Sequence, residues 1–110
     1  MSRSIRVFYT NVQGRNNRRN VNWSPISIRS AVLITAAEWG SGPLGPSLDG
    51  SHRPFLGAAP IWVSNVGAHG DGVEAGGVEF LLHVETQTPI NALVTITVLD
   101  EIEDFVLVGT

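Results

Sequence analysis

Apolar and polar residues alternate along much of this chain, with the two-residue period of a β-strand that buries one face. No segment has the three- to four-residue spacing of an amphipathic helix of useful length. The pattern therefore predicts an all-β fold, either an antiparallel β-sandwich or a small jelly roll. The predicted strands cover residues 3–12, 27–39, 61–66, 78–85, 90–98 and 105–108.

The strands over residues 78–85 and 90–98 are predicted to form a hairpin. Apolar side chains occupy every second position in both strands, and the four residues between them, 86–89, suit a turn. Both apolar rows are predicted to lie in the core. The alternate row of the second strand, which includes Leu93 and Leu99, is only half polar. A second surface is therefore expected to cover it.

Two segments are apolar on both faces. In the strand over residues 27–39, Ile34 belongs to one row and Leu33 to the other, and neither row is clearly polar. Such a strand is either central between two covered faces or exposed at a contact between subunits. The segment 105–108 is strongly β-forming, and a strand this apolar must be paired. It is expected to join its own sheet or to cross to a neighbouring subunit by strand addition.

Three segments are predicted to be loops. Residues 14–22 contain Val21 as their one apolar side chain and are rich in asparagine, which suits turns. Residues 40–60 carry four prolines and five glycines, and proline removes donors from a strand ladder. This long Gly/Pro-rich loop between the second and third predicted strands is a candidate binding arm. Residues 67–77 form a second glycine-rich connection.

The composition narrows the class of protein. At 110 residues, the chain is predicted to be a single β domain over residues 1–110. The absence of cysteine excludes disulfides, thiolate nucleophiles and zinc sites that need sulfur. No signal peptide and no membrane helix is predicted, so we expect a cytoplasmic protein or a component of a released particle.

Charge is distributed unevenly along the chain. All seven basic residues are arginine, and six of them precede Glu38, where there is no acidic residue. The remainder of the chain holds Arg53 against ten carboxylates. An asymmetry of this size indicates an electrostatic partner or a complementary contact between copies.

The arginines of the segment 14–22 are the sharpest candidate binding feature. Arg15, Arg18 and Arg19, followed by Trp23, offer bidentate phosphate donors and one stacking ring, which is typical of nucleic-acid binding. The acidic remainder of the chain would repel a polyanion. The alternative is an interface in which these arginines meet carboxylates of a neighbouring copy.

The histidines and nearby carboxylates are the candidate metal ligands. His69, Asp71 and Glu74 lie in a glycine-rich loop, and imidazole with carboxylate suits zinc, iron or manganese. His83, Glu79 and Glu85 are the further candidate ligands. The spacing of His69, Asp71 and Glu74 resembles the first metal motif of the cupins, which implies a small jelly-roll metalloprotein. Asp71 stands where that motif has a second histidine, and no second cupin motif follows. We therefore predict no metal and no cofactor, with His69 and Asp71 as turn residues and His83 on the surface.

Catalytic motifs are missing from the sequence, and aromatic residues offer a further alternative. No serine lies in a G-x-S-x-G context, and there is neither a P-loop nor a G-x-G-x-x-G that opens a helix. The chain is therefore predicted not to be an enzyme. Trp23, Trp39 and Trp62 would serve as platforms for a carbohydrate if they were exposed, although buried tryptophans are the more common case.

These observations together predict a non-enzymatic structural or interaction module that self-associates as a homo-oligomer, such as a shell or filament component. The alternatives are a ligand-binding β-sandwich, for carbohydrate or nucleic acid, and a cupin-like metalloprotein. No membrane partner is expected. The predicted contact residues are Arg15, Arg18, Arg19, Trp23, Asp100, Glu101, Glu103, Asp104, Phe105 and Leu107.

Overall fold

The computed structural model describes residues 1–40 and 52–109, and these residues form strands and no helix. The all-β fold class is confirmed. A helix of the length and apolar character needed to cross a bilayer is accordingly not found in this part of the chain. The strands are β1 (Arg3–Val12), β2 (Gly14–Asn22), β3 (Ser30–Gly40), β4 (Arg53–Phe55), β5 (Ile61–His69), β6 (Gly77–Val84) and β7 (Ile90–Glu101).

The strands form two antiparallel sheets. One sheet has the order β1-β7-β3-β4, and the other has the order β2-β6-β5. Strand β7 lies between β1 and β3, and strand β6 lies between β2 and β5. These two strands, each paired along both edges, carry most of the buried apolar side chains.

The core forms where the alternation predicts it. The row from Val78 to Val84 in β6 and the row from Ala92 to Val98 in β7 are buried and belong to one hydrophobic cluster. Ile26, in the turn before β3, joins the same cluster. Burying a side chain of this kind contributes about 1.5–3 kcal/mol. Both sheets therefore depend on one shared core.

The predicted hairpin of residues 78–85 and 90–98 is wrong. The two strands, β6 and β7, lie in different sheets, so the turn at residues 86–89 carries the chain from one sheet to the other. Their apolar rows contribute to the same core instead of standing side by side in one sheet. Alternation alone does not distinguish these two arrangements, because it specifies which face is buried and not which strand is the neighbour.

The predicted loop over residues 14–22 is also wrong, because this segment is strand β2. It pairs with β6, and the register shifts between Gly14 and Asn17. The Asn17 amide nitrogen stabilises the irregularity by donating to the carbonyl oxygens of Gly14 at 2.8 Å and Leu82 at 3.1 Å. Asparagine thus supports a bulge here, and tertiary pairing overrides its low strand propensity.

The Gly/Pro-rich stretch over residues 40–60 lies partly outside the described residues, which omit 41–51. Its described part includes β4, a three-residue strand at the edge of its sheet. Pro54 pairs there with Trp39 of β3. A proline is tolerated at such an edge, where one side of the strand makes no ladder.

Two apolar segments remain exposed. Leu33 of β3 is 60% exposed, on the face opposite the core residues Val32 and Ile34. The predicted terminal strand, residues 105–108, is not a strand, and all four of its side chains are exposed. Within the described chain, this segment does not join its own sheet.

Candidate functional site

The C-terminal segment presents four consecutive apolar side chains to solvent. The backbone N–H of Ile102 donates to the Arg29 oxygen at 2.8 Å, which ties the start of the segment to the turn before β3. The Arg29 guanidinium carbon lies 5.3 Å from the centre of the Phe105 ring. Beyond this contact the side chains stay exposed, and Leu107 is 98% exposed. A soluble chain rarely exposes a contiguous apolar run without a partner for it.

The six arginines that precede Glu38 all have partners within their own chain. Three form ion pairs with carboxylates, and two of these also lie over aromatic rings. Of the other three, two lie over aromatic rings and one bonds to a hydroxyl. Exposed pairs of this kind are each worth about 0–1 kcal/mol, so they neutralise charge more than they stabilise the fold. The pairs are Arg15–Glu85, Arg18–Glu79, Arg29–Glu101, Arg3–Trp23, Arg19–Tyr9 and Arg6–Thr95.

Strand β2 divides its arginines between two faces. Arg15 and Arg18 point away from the core, whereas Arg19 points toward the other sheet, with its guanidinium carbon 5.0 Å from the Tyr9 ring centre. Burial raises the pKa of the Tyr9 hydroxyl, and the positive charge of Arg19 opposes this effect. Trp23 packs against the core under the Arg3 guanidinium. The four predicted residues of this region are therefore not brought together in one surface.

The acidic residues at the end of β7 and just after it are engaged in local contacts. Asp100 accepts a hydrogen bond from the N-terminal ammonium at 2.7 Å, and this bond lowers the pKa of the Asp100 carboxyl. Glu101 lies 3.7 Å from the Arg29 guanidinium. Asp104 accepts the Phe105 backbone N–H at 2.9 Å, and Glu103 is exposed. The Phe105 backbone is therefore fixed by a local hydrogen bond, whereas the Leu107 side chain is almost fully exposed.

The outer face of the β2-β6-β5 sheet, which points away from the core, carries a band of polar and aromatic side chains. Trp62 of β5 stacks on His83 of β6 at 4.8 Å between ring centres. The Arg15 guanidinium carbon lies 5.3 Å from the Trp62 ring centre, and Arg15 Nε donates to Glu85 at 2.8 Å. Farther along the sheet, Arg18 pairs with Glu79 at 3.1 Å.

His83, the predicted surface histidine, is buried beneath this band at 5% exposure. Its Nδ1 accepts the backbone N–H of Asn16 at 3.1 Å, so the ring hydrogen lies on Nε2. Nε2 then donates to Ser64 Oγ at 2.7 Å. A general base must accept the serine proton, and this tautomer does not. The Ser64–His83 pair therefore supports the sheet and does not activate the serine.

A cleft lies at the other end of the outer face and has a volume of about 440 Å³. Asn20 and Glu79 face each other across neighbouring strands, and His69 Nε2 lies 2.7 Å from Asn20 Oδ1. The Asn20 amide nitrogen donates to Asn22 Oδ1 at 3.0 Å. The lining residues are Asn20, Asn22, His69, Glu74, Ala75 and Glu79.

The glycine-rich loop beside this cleft, which follows β5, is closed by its own side chains. Asp71 Oδ1 accepts the backbone N–H groups of Val73 and Glu74 at 2.9 and 3.0 Å, and these bonds lower the pKa of the Asp71 carboxyl. Glu74 in turn accepts the Gly70 N–H at 3.0 Å. His69 Nδ1 bonds the Ala75 oxygen at 2.9 Å. These partners occupy groups that the cupin-like arrangement would direct to a metal.

The candidate metal ligands are not gathered in one place. His69, Asp71 and Glu74 belong to the loop and cleft, whereas His83 is buried under Trp62 at the far end of the same sheet. Among the residues described, no three histidine, aspartate or glutamate side chains converge on a point that would hold an ion.

The third tryptophan lies on the outer face of the four-stranded sheet. Trp39 stacks on His52 at 5.0 Å between ring centres and meets Phe8 edge-on at 5.4 Å. Its indole nitrogen donates to the Tyr9 oxygen at 2.9 Å. Trp39 is therefore held in a local aromatic cluster, whereas Trp62 belongs to the polar and aromatic band of the other sheet.

Several cleft residues are missing from the sequence-based site. Asn20 and Asn22 fall in the segment that the sequence predicts to be a loop. Alternation along strand β2 puts both side chains on one face. Gly67 pairs with Glu79, and Gly77 lies between Asn22 and His69 with the His69 ring over it. A glycine within a strand, such as Gly67, is the sequence signal for open space on the face of a sheet.

No family model, no curated protein and no solved structure matches this chain. The function is therefore inferred from the side chains and surfaces described above.

Proposed function

We propose that this chain is a structural or interaction module that self-associates, and that its C-terminal segment is the contact. The observation that carries the proposal is the exposure of Phe105–Val108 beyond the last strand. The segment alternates Phe105 and Leu107 with Val106 and Val108, so it is apolar on both faces when extended. Strand addition would pair its backbone and bury its side chains in a single step.

Strand β1 is the acceptor in this proposal. It is ten residues long, it pairs on one side with β7, and it forms the outer edge of its sheet. Its register with β7 is continuous from Arg3 to Tyr9, whereas β2 and β5, the edges of the other sheet, are both irregular. Ile5 and Val7 pack against the core and are only partly buried. A segment from a second copy would complete their burial and continue the ladder.

A sandwich arrangement of the two sheets belongs to the same proposal. Phe80 and Leu82 from one sheet and Val94 and Ile96 from the other meet in one buried cluster, which supports face-to-face packing. In a sandwich the edges of both sheets remain open, and edge-to-edge addition is then the available route to an assembly. The added segment would produce a closed pair if exchange is mutual and a filament if it runs head to tail.

Ion pairs between copies support the proposal less strongly than the exposed C-terminal segment does. The arginines before Glu38 already have partners in their own chain, so no excess of unpaired arginine remains to attract a neighbour. Contact between the basic region of one copy and the acidic residues around the end of β7 in another stays a prediction. In the C-terminal segment, Phe105 contacts the Arg29 guanidinium, whereas Val106, Leu107 and Val108 remain exposed.

The test compares two leucines that are equally exposed. Leu107→Asp places a charge in the proposed contact, and Leu56→Asp makes the same change at a residue that is 95% exposed outside it. We expect the wild type and Leu56→Asp to be oligomeric by light scattering on a sizing column, and Leu107→Asp to be monomeric with an unchanged circular dichroism spectrum. A wild type that is monomeric at high concentration, or a Leu107→Asp variant as large as the control, contradicts the proposal.

A further inference from the structure

We propose that the cleft on the outer face of the β2-β6-β5 sheet binds a neutral carbohydrate. The cleft is about 440 Å³, within the range of about 300–1,000 Å³ that is typical of small-molecule sites. Five of its six lining residues have polar side chains, and Ala75 is the exception. A cleft of this size and polarity suits a ligand that is covered with hydrogen-bonding groups. This inference is independent of the C-terminal contact.

The lining side chains offer donors and acceptors next to each other. Asn22 uses its oxygen to accept from Asn20, and its amide nitrogen has no partner among the described residues. Glu79 uses one oxygen for Arg18, and Glu74 uses one oxygen for Gly70, so each retains a second oxygen. A sugar hydroxyl both donates and accepts a hydrogen bond, and paired amides and carboxylates match neighbouring hydroxyls.

The charges of the cleft favour a neutral ligand. Its two carboxylates, Glu74 and Glu79, would repel a phosphate or an anionic polymer. Arg18 lies beside Glu79 and offsets part of that negative charge. His69 lines the cleft as well, but among the described residues His69, Glu74 and Glu79 do not converge on a point that would hold a cation. The charges of the cleft therefore favour neutral hydroxyl groups over a phosphate or a metal ion.

The backbone creates the cleft and holds it in shape. Asn20 and Asn22 are on β2, Glu79 is on β6 and His69 is on β5, so four lining residues stand on paired strands. Their hydrogen bonds to one another fix their orientation before a ligand arrives, which lowers the entropy cost of binding. Gly67, which pairs with Glu79, leaves open space on the outer face where a side chain would stand.

A second depression lies next to the cleft on the same sheet. It has a volume of about 270 Å³, shares Glu79 with the cleft and is lined by Arg18, Asn65, Phe80 and Leu81 as well. The Trp62 ring farther along the same face is already contacted by His83 and by the Arg15 guanidinium. The two depressions that share Glu79 therefore provide the room for more than one sugar unit.

The experiment measures retardation of the whole chain in native gels that contain a neutral polysaccharide. The panel is β-glucan, mannan, xylan and galactan, and the affinity for the polysaccharide that binds is then measured by titration calorimetry with its oligosaccharides. We expect Asn20→Ala and Glu79→Gln each to weaken binding at least tenfold. Asn91→Ala and Glu103→Gln make the same changes outside the cleft and should leave affinity within twofold of the wild type.

A variant that adds a side chain at the cleft distinguishes loss of carbohydrate binding from unfolding of the protein. A Cβ added at Gly67 meets no atom within 4 Å, so Gly67→Val fits strand β5 without a clash. We expect this variant to keep the melting temperature and to lose retardation. The proposal is overturned if no polysaccharide of the panel retards the protein, if the cleft variants bind like their controls, or if the protein binds only metal ions or anionic polymers. Because Leu107→Asp should bind normally, failure here is distinguishable from failure of the self-association.

Discussion

At the residue scale, hydrogen-bond partners decide what the polar side chains of this protein do. His83 and His69 are the same residue type on neighbouring strands of one sheet. His83 is buried and fixed in one tautomer by the Asn16 N–H, whereas His69 lies at a cleft and bonds to Asn20 and the Ala75 oxygen. Residue type alone made both of them metal candidates, and their partners show two different structural roles.

Asp71 gives a pH-dependent prediction at this scale. The N–H groups of Glu74 and Val73 stabilise its carboxylate, so the pKa of Asp71 is lower in the folded chain than in the unfolded chain. A lowered pKa adds stability above the unfolded value of about 4 and loses it as the pH falls through the folded value. Asp71→Asn keeps an oxygen acceptor but carries no charge. We expect its urea midpoint to lie below the wild-type midpoint at pH 7 and to converge with it at acidic pH.

Asp71→Ala is the companion variant, because it removes the acceptor as well as the charge. It should remain less stable than the wild type at both pH values, since the loop loses both hydrogen bonds. A gap between the wild type and Asp71→Asn that is equally large at neutral and acidic pH would show that the charge of Asp71 does not contribute.

At the element scale, strand β2 shows how pairing outweighs local preference. Its nine residues include four asparagines and three arginines, and Val21 is the one apolar side chain. The segment is a strand because β6, a highly apolar strand, needs a neighbour on each edge. The bulge between Gly14 and Asn17 absorbs the irregular start of this pairing, with Asn16 at φ +61. Asparagine tolerates that conformation better than most residues.

Asn17 should therefore matter more for stability than the other asparagines of β2. Its amide donates to two backbone oxygens in a partly buried position, and removing it leaves them without that donor. We expect Asn17→Ala to lower the free energy of unfolding by about 1–2 kcal/mol. Asn22→Ala, at an exposed position of the same strand, is the matched control and should change it by less than about 0.5 kcal/mol. Equal urea midpoints for the two variants would argue against this role of Asn17.

At the scale of the whole molecule, the charge asymmetry along the sequence is resolved by the fold. Three of the four described ion pairs join an arginine of residues 1–37 to a carboxylate of residues 79–101. The antiparallel strands bring the two ends of the chain side by side, so the basic and acidic regions meet within one molecule. The apolar C-terminal segment, in contrast, remains exposed to solvent.

The expected salt dependence of self-association follows from the internal pairing of the charges and the exposure of the apolar segment. Contacts between exposed charges weaken with salt, because the screening length falls from about 10 Å at 0.1 M to about 3 Å at 1 M. Apolar strand addition does not weaken in this way. We expect the association constant from sedimentation equilibrium to be unchanged or higher at 1 M sodium chloride. Dissociation at high salt would instead support arginine–carboxylate contacts between copies.

The sequence by itself determined the class of fold and the buried rows. Alternation located the apolar rows of β6 and β7, because a strand that buries one face must repeat every second residue. It also located the apolar segment at residues 105–108 and the arginines of residues 14–22. These features depend on neighbours along the chain, which a single sequence contains.

The tertiary structure alone decided which strands are neighbours and which polar residues meet. It separated β6 from β7, turned residues 14–22 into a strand, buried His83 and assembled a cleft from Asn20, His69 and Glu79. Each of these outcomes depends on pairing between residues that are far apart in sequence. The periodicity of one strand specifies its buried face, but the partner at its edge is selected by the packing of the whole chain.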